Sequence, residues 1–545
     1  MRSDIIKLYK DVHTWTGIVS GLLLFIAFYA GAITMFEAPL QRWASPPAPF
    51  GELTPLEDSQ QLIDRVLADY PDARRGYQIV FQPSAQFPAR MSWQLPNPEA
   101  HDHDPPEFMH ANLTADNKLI VAGSEASPVS QLVDDLHRQV GLMLPHEIAM
   151  PIMGSVALLY GVALVSGVIV LLPTLVQDLF AFRLGKNLKR LWLDFHNLLG
   201  VFSLPFHLVM ALTSVIFAFH DQIYDAQEAL VYRGENAFIQ TARDASASPA
   251  SGDKLSPALI AARLQEQQPE FEPHRMIVND AAQRGPSLVV FGSNPRYGNR
   301  SPDGGVVGLD PYTGDIVATD YMPGMQSGWG ATITSFFTLH FGSYGGNTVR
   351  WAYFFLGLGG AALFYTGNLL WLETRRKKQK KSTAAQAVEQ RRSARILGPL
   401  TVGVSLGCIA GISVSIAAAK VLPALVADIG HWHTSIYYLV FVAFIGWAFL
   451  RGTALGAVDL LRAAALATGL IPLISLAALL APGFGWNYSD GSGLVDVVAS
   501  LGAIILALLG RRTAQRIRRA PHDSLWYIAP AAPLAPAEPG KLERT

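Results

Sequence analysis

The sequence predicts an α-helical polytopic membrane protein with about eight transmembrane helices, an internally duplicated core and two α+β domains outside the membrane. Three observations lead to this fold class. Half of the 545 residues are hydrophobic, only 16% are charged, and the uncharged apolar residues are collected in long runs. Since a helix needs about 20 apolar residues to cross a bilayer, the composition excludes an ordinary cytosolic enzyme and a disordered chain.

Eight apolar runs have the length expected of membrane spans, the last of them being the weakest. The first run is longer than the hydrophobic part of a signal peptide, so we interpret it as an uncleaved anchor. The runs cover 14–36, 148–176, 197–219, 351–372, 396–419, 434–450, 463–481 and 494–510.

Basic residues in short loops predict the orientation, because Lys and Arg resist translocation across the membrane. Basic clusters at 183–190, 375–381 and 511–519 would all be cytoplasmic if eight spans place both termini inside. The predicted organisation is a first helix in 1–36, an outer domain in 37–147, helices two and three in 148–220, a second outer domain in 221–349, helix four in 350–372, a basic loop in 373–395, four further helices in 396–512 and a cytoplasmic tail in 513–545.

The remaining composition limits the partners. Lys and Arg number 42 against 43 Asp and Glu, so there is no basic excess of the kind that nucleic-acid binding requires. Cys408 is the single cysteine and allows no intramolecular disulfide. The outer segment at 304–320, GGVVGLDPYTGDIVATD, predicts two strands around a turn, and 109–122 is a fainter counterpart.

An internal repeat relates the first two pairs of spans. LYKDVHTWTG at 8–17 and LWLDFHNLLG at 191–200 share Leu, Asp, His and Gly in register, and each opens a span that runs from inside to outside. A Leu-His pair also precedes the second span and the fourth span. The unit occurs twice in the same orientation, which predicts a pseudo-two-fold axis along the membrane normal.

The repeat pairs four histidines at equal depth: His13 with His196 near the cytoplasmic surface, and His137 with His340 near the outer surface. Two imidazoles at one depth within helices can ligate haem iron from both faces. The pairs therefore predict two haems, one near each membrane face. The alternative is that each histidine only anchors or caps the end of its helix.

His207 lies in the middle of the third run, where an ionisable group is costly and indicates a function. It follows His196 by 11 residues, so a straight helix would place both on one face, about 16 Å apart. His207 could ligate the second iron in place of one of the outer pair. Its repeat equivalent is Leu24, so His146 would have to supply the opposite ligand.

Two further groups of histidines carry weaker signals. The stretch HDHDPPEFMH at 101–110, which ends on His110, is expected to be a solvated loop rather than a metal site. His431 and His433 precede the sixth run and are expected to be interfacial anchors, with a third redox site as the alternative.

Four motifs in this order resemble the PepSY-associated transmembrane helix family of iron-regulated bacterial inner-membrane proteins. They are DVHTWTGIVSGLLLFIAFYAGAITMFE, DLHRQVGLML, LDFHNLLGVFSLPFHLVMALTSVIF and LHFGSYGG, and the resemblance covers about residues 1–380. It implies that the outer segments are periplasmic PepSY-like domains. It also implies that the ligands of b-type haem are His13, His137, His196 and His340, with His207 as a variant of the longer members.

The resemblance implies a ferric-siderophore reductase that carries haem b. Electrons would come from a quinol or from a cytoplasmic reductase and would reduce a ferric chelate in the periplasm. One electron loosens such a complex, because hard oxygen ligands hold Fe(III) better than Fe(II). The sequence has no Rossmann-type glycine fingerprint in a strand-to-helix context, which predicts a separate electron donor.

Two other functions stay open at this point. A secondary transporter would also contain repeats, but it predicts interrupted helices with charged residues at mid-depth, and the first four runs have no such residue apart from His207. A non-enzymatic regulator would use its outer domains to bind a partner protein. The four helices after residue 381 exceed the family's minimal four-helix core, and they could bind a quinone, a partner or neither.

Overall fold

The computed structural model describes residues 3–96, 107–123, 126–142, 144–175, 188–230, 253–279, 287–301, 304–377, 389–481, 483, 486 and 492–528. The α-helices in these residues are α1 (Ser3–Thr34), α2 (Glu37–Ala44), α3 (Ser59–Asp69), α4 (Val129–Arg138), α5 (His146–Leu171), α6 (Leu188–Phe202), α7 (Leu204–Ala218), α8 (His220–Leu230), α9 (Pro257–Gln267), α10 (Gly328–Phe341), α11 (Gly346–Thr374), α12 (Arg392–Ala418), α13 (Ile429–Leu480) and α14 (Leu494–Ile517).

The protein is a multi-pass membrane protein. Six helices among the described residues are long and apolar enough to cross a bilayer: α1, α5, α11, α12, α13 and α14. A bent pair, α6 with α7, raises the number to seven if it is counted as one span. Helices are the expected form here, because a helix satisfies every backbone hydrogen bond within its own segment.

The third predicted span is two helices rather than one. The axes of α6 and α7 differ by 70°, and the break falls at Ser203. Pro205 lies in the first turn of α7, where a proline is tolerated but cannot continue the preceding helix. The prediction that His196 and His207 share one face of a straight helix is therefore wrong.

Helix α13 reverses its direction near Gly452. Its 52 residues exceed what one span needs, and Gly452 is non-helical, with φ 72° and ψ 169°. Trp447 Nε1 and Arg451 Nε both donate to Asp459 Oδ2, at 3.3 and 3.0 Å. In a continuous helix Trp447 and Asp459 would lie about 18 Å apart. The predicted runs at 434–450 and 463–481 are therefore the two arms of a hairpin.

The C-terminal helices share a hydrophobic core with the duplicated bundle. Cys408 and Ile412 of α12 and Tyr437 of α13 are buried in one cluster with Phe25 of α1 and Leu136 of α4. Tyr438 Oη also donates to the carbonyl of Gly141, just beyond α4, at 3.1 Å. The added helices thus support α4, the helix that carries His137.

The two segments predicted to lie outside the membrane contribute four strands each to one antiparallel sheet. The strands are β1 (Gly76–Val80), β2 (Met91–Gln94), β3 (Phe108–Leu113), β4 (Leu119–Gly123), β5 (Glu272–Asn279), β6 (Ser287–Ser293), β7 (Gly305–Leu309) and β8 (Ile316–Tyr321). Their order is β4-β3-β2-β1-β5-β6-β7-β8. The halves join because β1 pairs with β5, from Gly76 with Asn279 to Val80 with Arg275. This pairing covers two edges that would otherwise be open.

Candidate functional site

The inner pair consists of His13 on α1 and His196 on α6. Their ring centroids are 6.1 Å apart and their planes are inclined by 71°. His13 Nδ1 lies 2.8 Å from the carbonyl oxygen of Ala163 on α5, and His196 Nδ1 lies 3.2 Å from that of Leu363 on α11. A carbonyl oxygen can only accept, so each Nδ1 carries the proton and each Nε2 keeps a free lone pair.

The outer pair consists of His137 on α4 and His340 on α10, again with ring centroids 6.1 Å apart. His137 Nδ1 donates to the carbonyl of Ala27 at 2.8 Å. His340 Nδ1 lies 2.8 Å from Thr213 Oγ1, and that hydroxyl donates its single hydrogen to the carbonyl of Val209 at 2.7 Å. Thr213 therefore accepts from His340, and Nε2 is again the nitrogen left for a ligand.

The two pairs lie at different heights along α1. His13 belongs to this helix, and Ala27, whose carbonyl accepts from His137, follows about 20 Å further along the axis. All four imidazoles are half-buried. The structure thus brings together the four histidines that the repeat pairs, in the predicted combinations.

Three of these histidines pack against a glycine that comes four residues after the carbonyl to which they donate. Residues four apart share one face of a helix, so one helix face supplies both the hydrogen bond and the space for the ring. A Cβ on the glycine would lie 2.9 Å from the ring for Gly167 and His13, 2.7 Å for Gly31 and His137, and 3.3 Å for Gly367 and His196.

These glycines were missed by the sequence reasoning, although a signal was present. ALVSG at 163–167 and LFYTG at 363–367 both end with a small hydroxyl residue followed by glycine. The repeat could have matched the two stretches as it matched the histidines. His340 differs from the other three, because the Thr213 hydroxyl replaces the carbonyl and the ring of Phe217 lies 5.0 Å from the imidazole.

His207 lies on α7 and is fully buried, and no histidine of the described residues is paired with it. Its Nδ1 is hydrogen-bonded to the hydroxyl of Tyr160 on α5, and its Nε2 has no hydrogen-bond partner in the described part of the chain. The rings of Phe28 and Phe206 lie 5.5 and 5.6 Å away. His146 opens α5, about 21 Å along the axis from Tyr160, so the structure does not bring His146 to His207.

The remaining candidate histidines of the described residues lie apart from the two pairs. Residues 101–104 lie outside the described residues. His110 is buried in β3 instead of lying in a solvated loop: its Nδ1 is 2.8 Å from Ser92 Oγ, and burial lowers its pKa to about 4. His431 is exposed, whereas His433 is buried within α13 and is not an interfacial anchor. No three His, Cys, Asp or Glu side chains in the described ranges are placed to hold a metal ion.

Each pair has the spacing that a shared metal requires. Metal–imidazole bonds of about 2 Å from two rings would separate the ring centres by roughly 6 Å. The observed separation is 6.1 Å in both pairs. Neutral imidazoles with a fixed Nδ1–H are also the usual form of a metal-ligating histidine.

Comparison with known proteins gives one family. The model of the PepSY-associated TM region matches residues 11–374, well over half of the chain. The match starts just before His13, includes both histidine pairs and ends where α11 ends, so α12, α13 and α14 lie beyond it. No curated protein matches the chain.

Proposed function

Because the chain belongs to the family of the PepSY-associated TM region, we propose that it is a haem-containing oxidoreductase of the bacterial inner membrane. It passes electrons across the membrane to ferric iron in the periplasm, held as a ferric siderophore or a similar chelate. The observation that carries this proposal is the pair of histidine sites along α1, each with Nδ1 oriented by a neighbouring helix and Nε2 free.

The residues fit two haems of the b type. Each pair offers two neutral imidazoles from different helices, the ligand set of a bis-histidine haem. The glycines at 31, 167 and 367 leave room for the imidazole rings of His137, His13 and His196, which are half-buried. When bound, haem would supply one-electron transfer, which the histidine side chains cannot carry out by themselves.

The protein's own groups set the properties of these sites. Hydrogen bonds from His13, His196 and His137 to backbone carbonyls fix the orientation of the rings and increase the basicity of Nε2. With a separation of about 20 Å along α1, one pair would lie towards each face of a hydrocarbon core about 30 Å thick. The two sites divide electron transfer across the membrane into shorter steps, from a quinol or cytoplasmic donor to a chelate on the outer side.

We propose eight spans with both termini in the cytoplasm. The bent pair α6 and α7 is one span, and the hairpin of α13 is two. Lys189, Arg190 and Arg375–Lys377 then lie inside, as the charge rule for short loops requires. The eight-stranded sheet lies outside, on the same side as His137 and His340.

Spectroscopy of purified protein tests the proposal directly. We expect a Soret band, two haems per chain by pyridine haemochrome, and oxidation of the reduced protein on addition of a ferric chelate. A colourless protein would refute the haem sites and favour a non-enzymatic regulator or a transporter. If the protein is red but no ferric chelate oxidises its reduced form, the proposed substrate is refuted and the proposed haem sites stand.

His207 is expected to border the haem sites without ligating iron. Its Nδ1 is held by Tyr160 and no second imidazole of the described residues is paired with it, so His207→Leu should keep both haems and alter only the shape of the difference spectrum. The measurement is haem content together with the reduced-minus-oxidised spectrum. Loss of one haem in this variant would instead identify His207 as a ligand.

A further inference from the structure

Arg300 is a guanidinium stacked on two aromatic rings at the edge of the eight-stranded sheet. Its Cζ lies 3.8 Å from the ring centre of Tyr321 and 4.6 Å from that of Phe337. Nη1 is buried and makes no hydrogen bond, and no carboxylate of the described residues forms an ion pair with this side chain. Arg296, by contrast, pairs with Glu270 at 2.7 Å.

The segment before Arg300 is fastened to α10, the helix that carries His340. The carbonyl of Asn299 accepts hydrogen bonds from Thr338 Oγ1 at 2.8 Å and from Ser343 Oγ at 2.6 Å. The backbone N–H of Asn299 donates to the carbonyl of Ser343 at 3.2 Å. Arg300 is therefore held at a defined position relative to His340.

Two aromatic rings connect Arg300 with the outer histidine pair. Phe337, on which the guanidinium stacks, has its ring 4.7 Å from that of Phe217. The ring of Phe217 lies 5.0 Å from the imidazole of His340. An anion bound by Arg300 would thus lie close to the outer site, on the periplasmic side of it.

We propose that Arg300 binds an anionic oxygen group of the ferric chelate and so positions the chelate beside the outer histidine pair. The inference rests on the proposed function and names the class of substrate: a chelate with net negative charge and carboxylate or similar oxygen donors. A guanidinium stacked on rings keeps its N–H groups in the plane, is weakly hydrated, and matches a carboxylate in geometry. An unpaired buried N–H is costly unless a ligand satisfies it.

A binding measurement separates this proposal from the redox function. Gallium(III) citrate is redox-inert and carries the same ligand as ferric citrate, so calorimetry on the full-length protein needs neither haem nor electron transfer. We expect Arg300→Gln to weaken the binding of gallium citrate at least tenfold and to raise the KM for ferric citrate similarly, with haem content and kcat unchanged. Arg296→Gln is the matched control and should bind like wild type, because Arg296 is exposed and already paired.

Each result has a defined meaning. Equal binding of gallium citrate by wild type and Arg300→Gln overturns the assignment. The assignment also fails if Arg300→Gln weakens the binding of a cationic ferric hydroxamate chelate as much as that of gallium citrate, because the effect would then not depend on the negative charge of the chelate. A phosphate of an anionic lipid could offer the same oxygen chemistry near the membrane. If the variant differs from wild type only in nanodiscs with phosphatidylglycerol and not in detergent, the ligand is the lipid and the chelate assignment fails. If the purified protein contains no haem but binds gallium citrate in a way that depends on Arg300, the anion site stands and the proposed redox function is refuted.

Discussion

Replacing His13 or His196 with alanine is expected to lower the haem content of the purified protein from two per chain to one. Both residues belong to the inner pair, whose ring centroids are 6.1 Å apart, and a haem held by this pair would be bound far less tightly once one of the two imidazoles is removed. The outer pair shares no hydrogen bond with the inner pair. The second haem should therefore remain, and its band should persist in the difference spectrum.

The reciprocal variants and one control complete this experiment. His137→Ala and His340→Ala should remove the other haem, so spectra of the two sets should add up to that of the wild type. His431→Ala replaces an exposed histidine outside the family match and should retain both haems. An unchanged haem content in His13→Ala and His196→Ala would contradict the inner site. In all four pair variants the reduction of ferric chelate by the cytoplasmic or quinol donor should fall at least tenfold, because each site is a required step.

Gly167→Val is expected to remove the inner haem without changing a ligand. A Cβ at this position would lie 2.9 Å from Cε1 of His13, whereas carbon atoms in contact are about 3.5 to 4.0 Å apart. The imidazole must move by roughly 1 Å, which would break its hydrogen bond to Ala163 and misplace Nε2, and a site misplaced this far commonly fails. Pyridine haemochrome should report about one haem per chain.

Gly161→Val supplies the matched control on the same helix. A Cβ at Gly161 meets no atom within 4 Å, while the cost of valine in a helix is the same at both positions. This variant should keep two haems and the wild-type spectrum. If Gly161→Val and Gly167→Val lose haem to the same extent, general destabilisation of α5 explains the result and the glycine contact does not. Gly31→Val, with Cβ 2.7 Å from Nδ1 of His137, should affect the outer haem instead.

The membrane architecture and the family were predictable because their signals are local. A span requires a run of apolar residues whatever it packs against, so the predicted runs overlap α1, α5, α11, α12 and α14, although α1 begins 11 residues before its run and α14 ends seven residues after its run. The family resemblance is confirmed by a match over residues 11–374. The repeat also predicted which histidines form pairs, since residues in register in two parallel copies lie at the same depth.

Other features were not predictable from runs and repeats. The break at Ser203 depends on Pro205, which a count of apolar residues does not detect. The hairpin at Gly452 depends on one residue with a positive φ. The burial of His110 and His433 could not be predicted from their sequence neighbours, because a histidine next to polar or aromatic residues can lie either in a loop or in a core.

Apolar runs and a duplicated motif were sufficient for the class of protein, the approximate spans and the partner of each histidine, because these follow from properties of single segments. The joining of β1 to β5, the three glycine and carbonyl contacts and the stacking of Arg300 on Tyr321 and Phe337 needed the folded chain. Each of them brings together segments far apart in sequence, and their meeting depends on how whole elements pack.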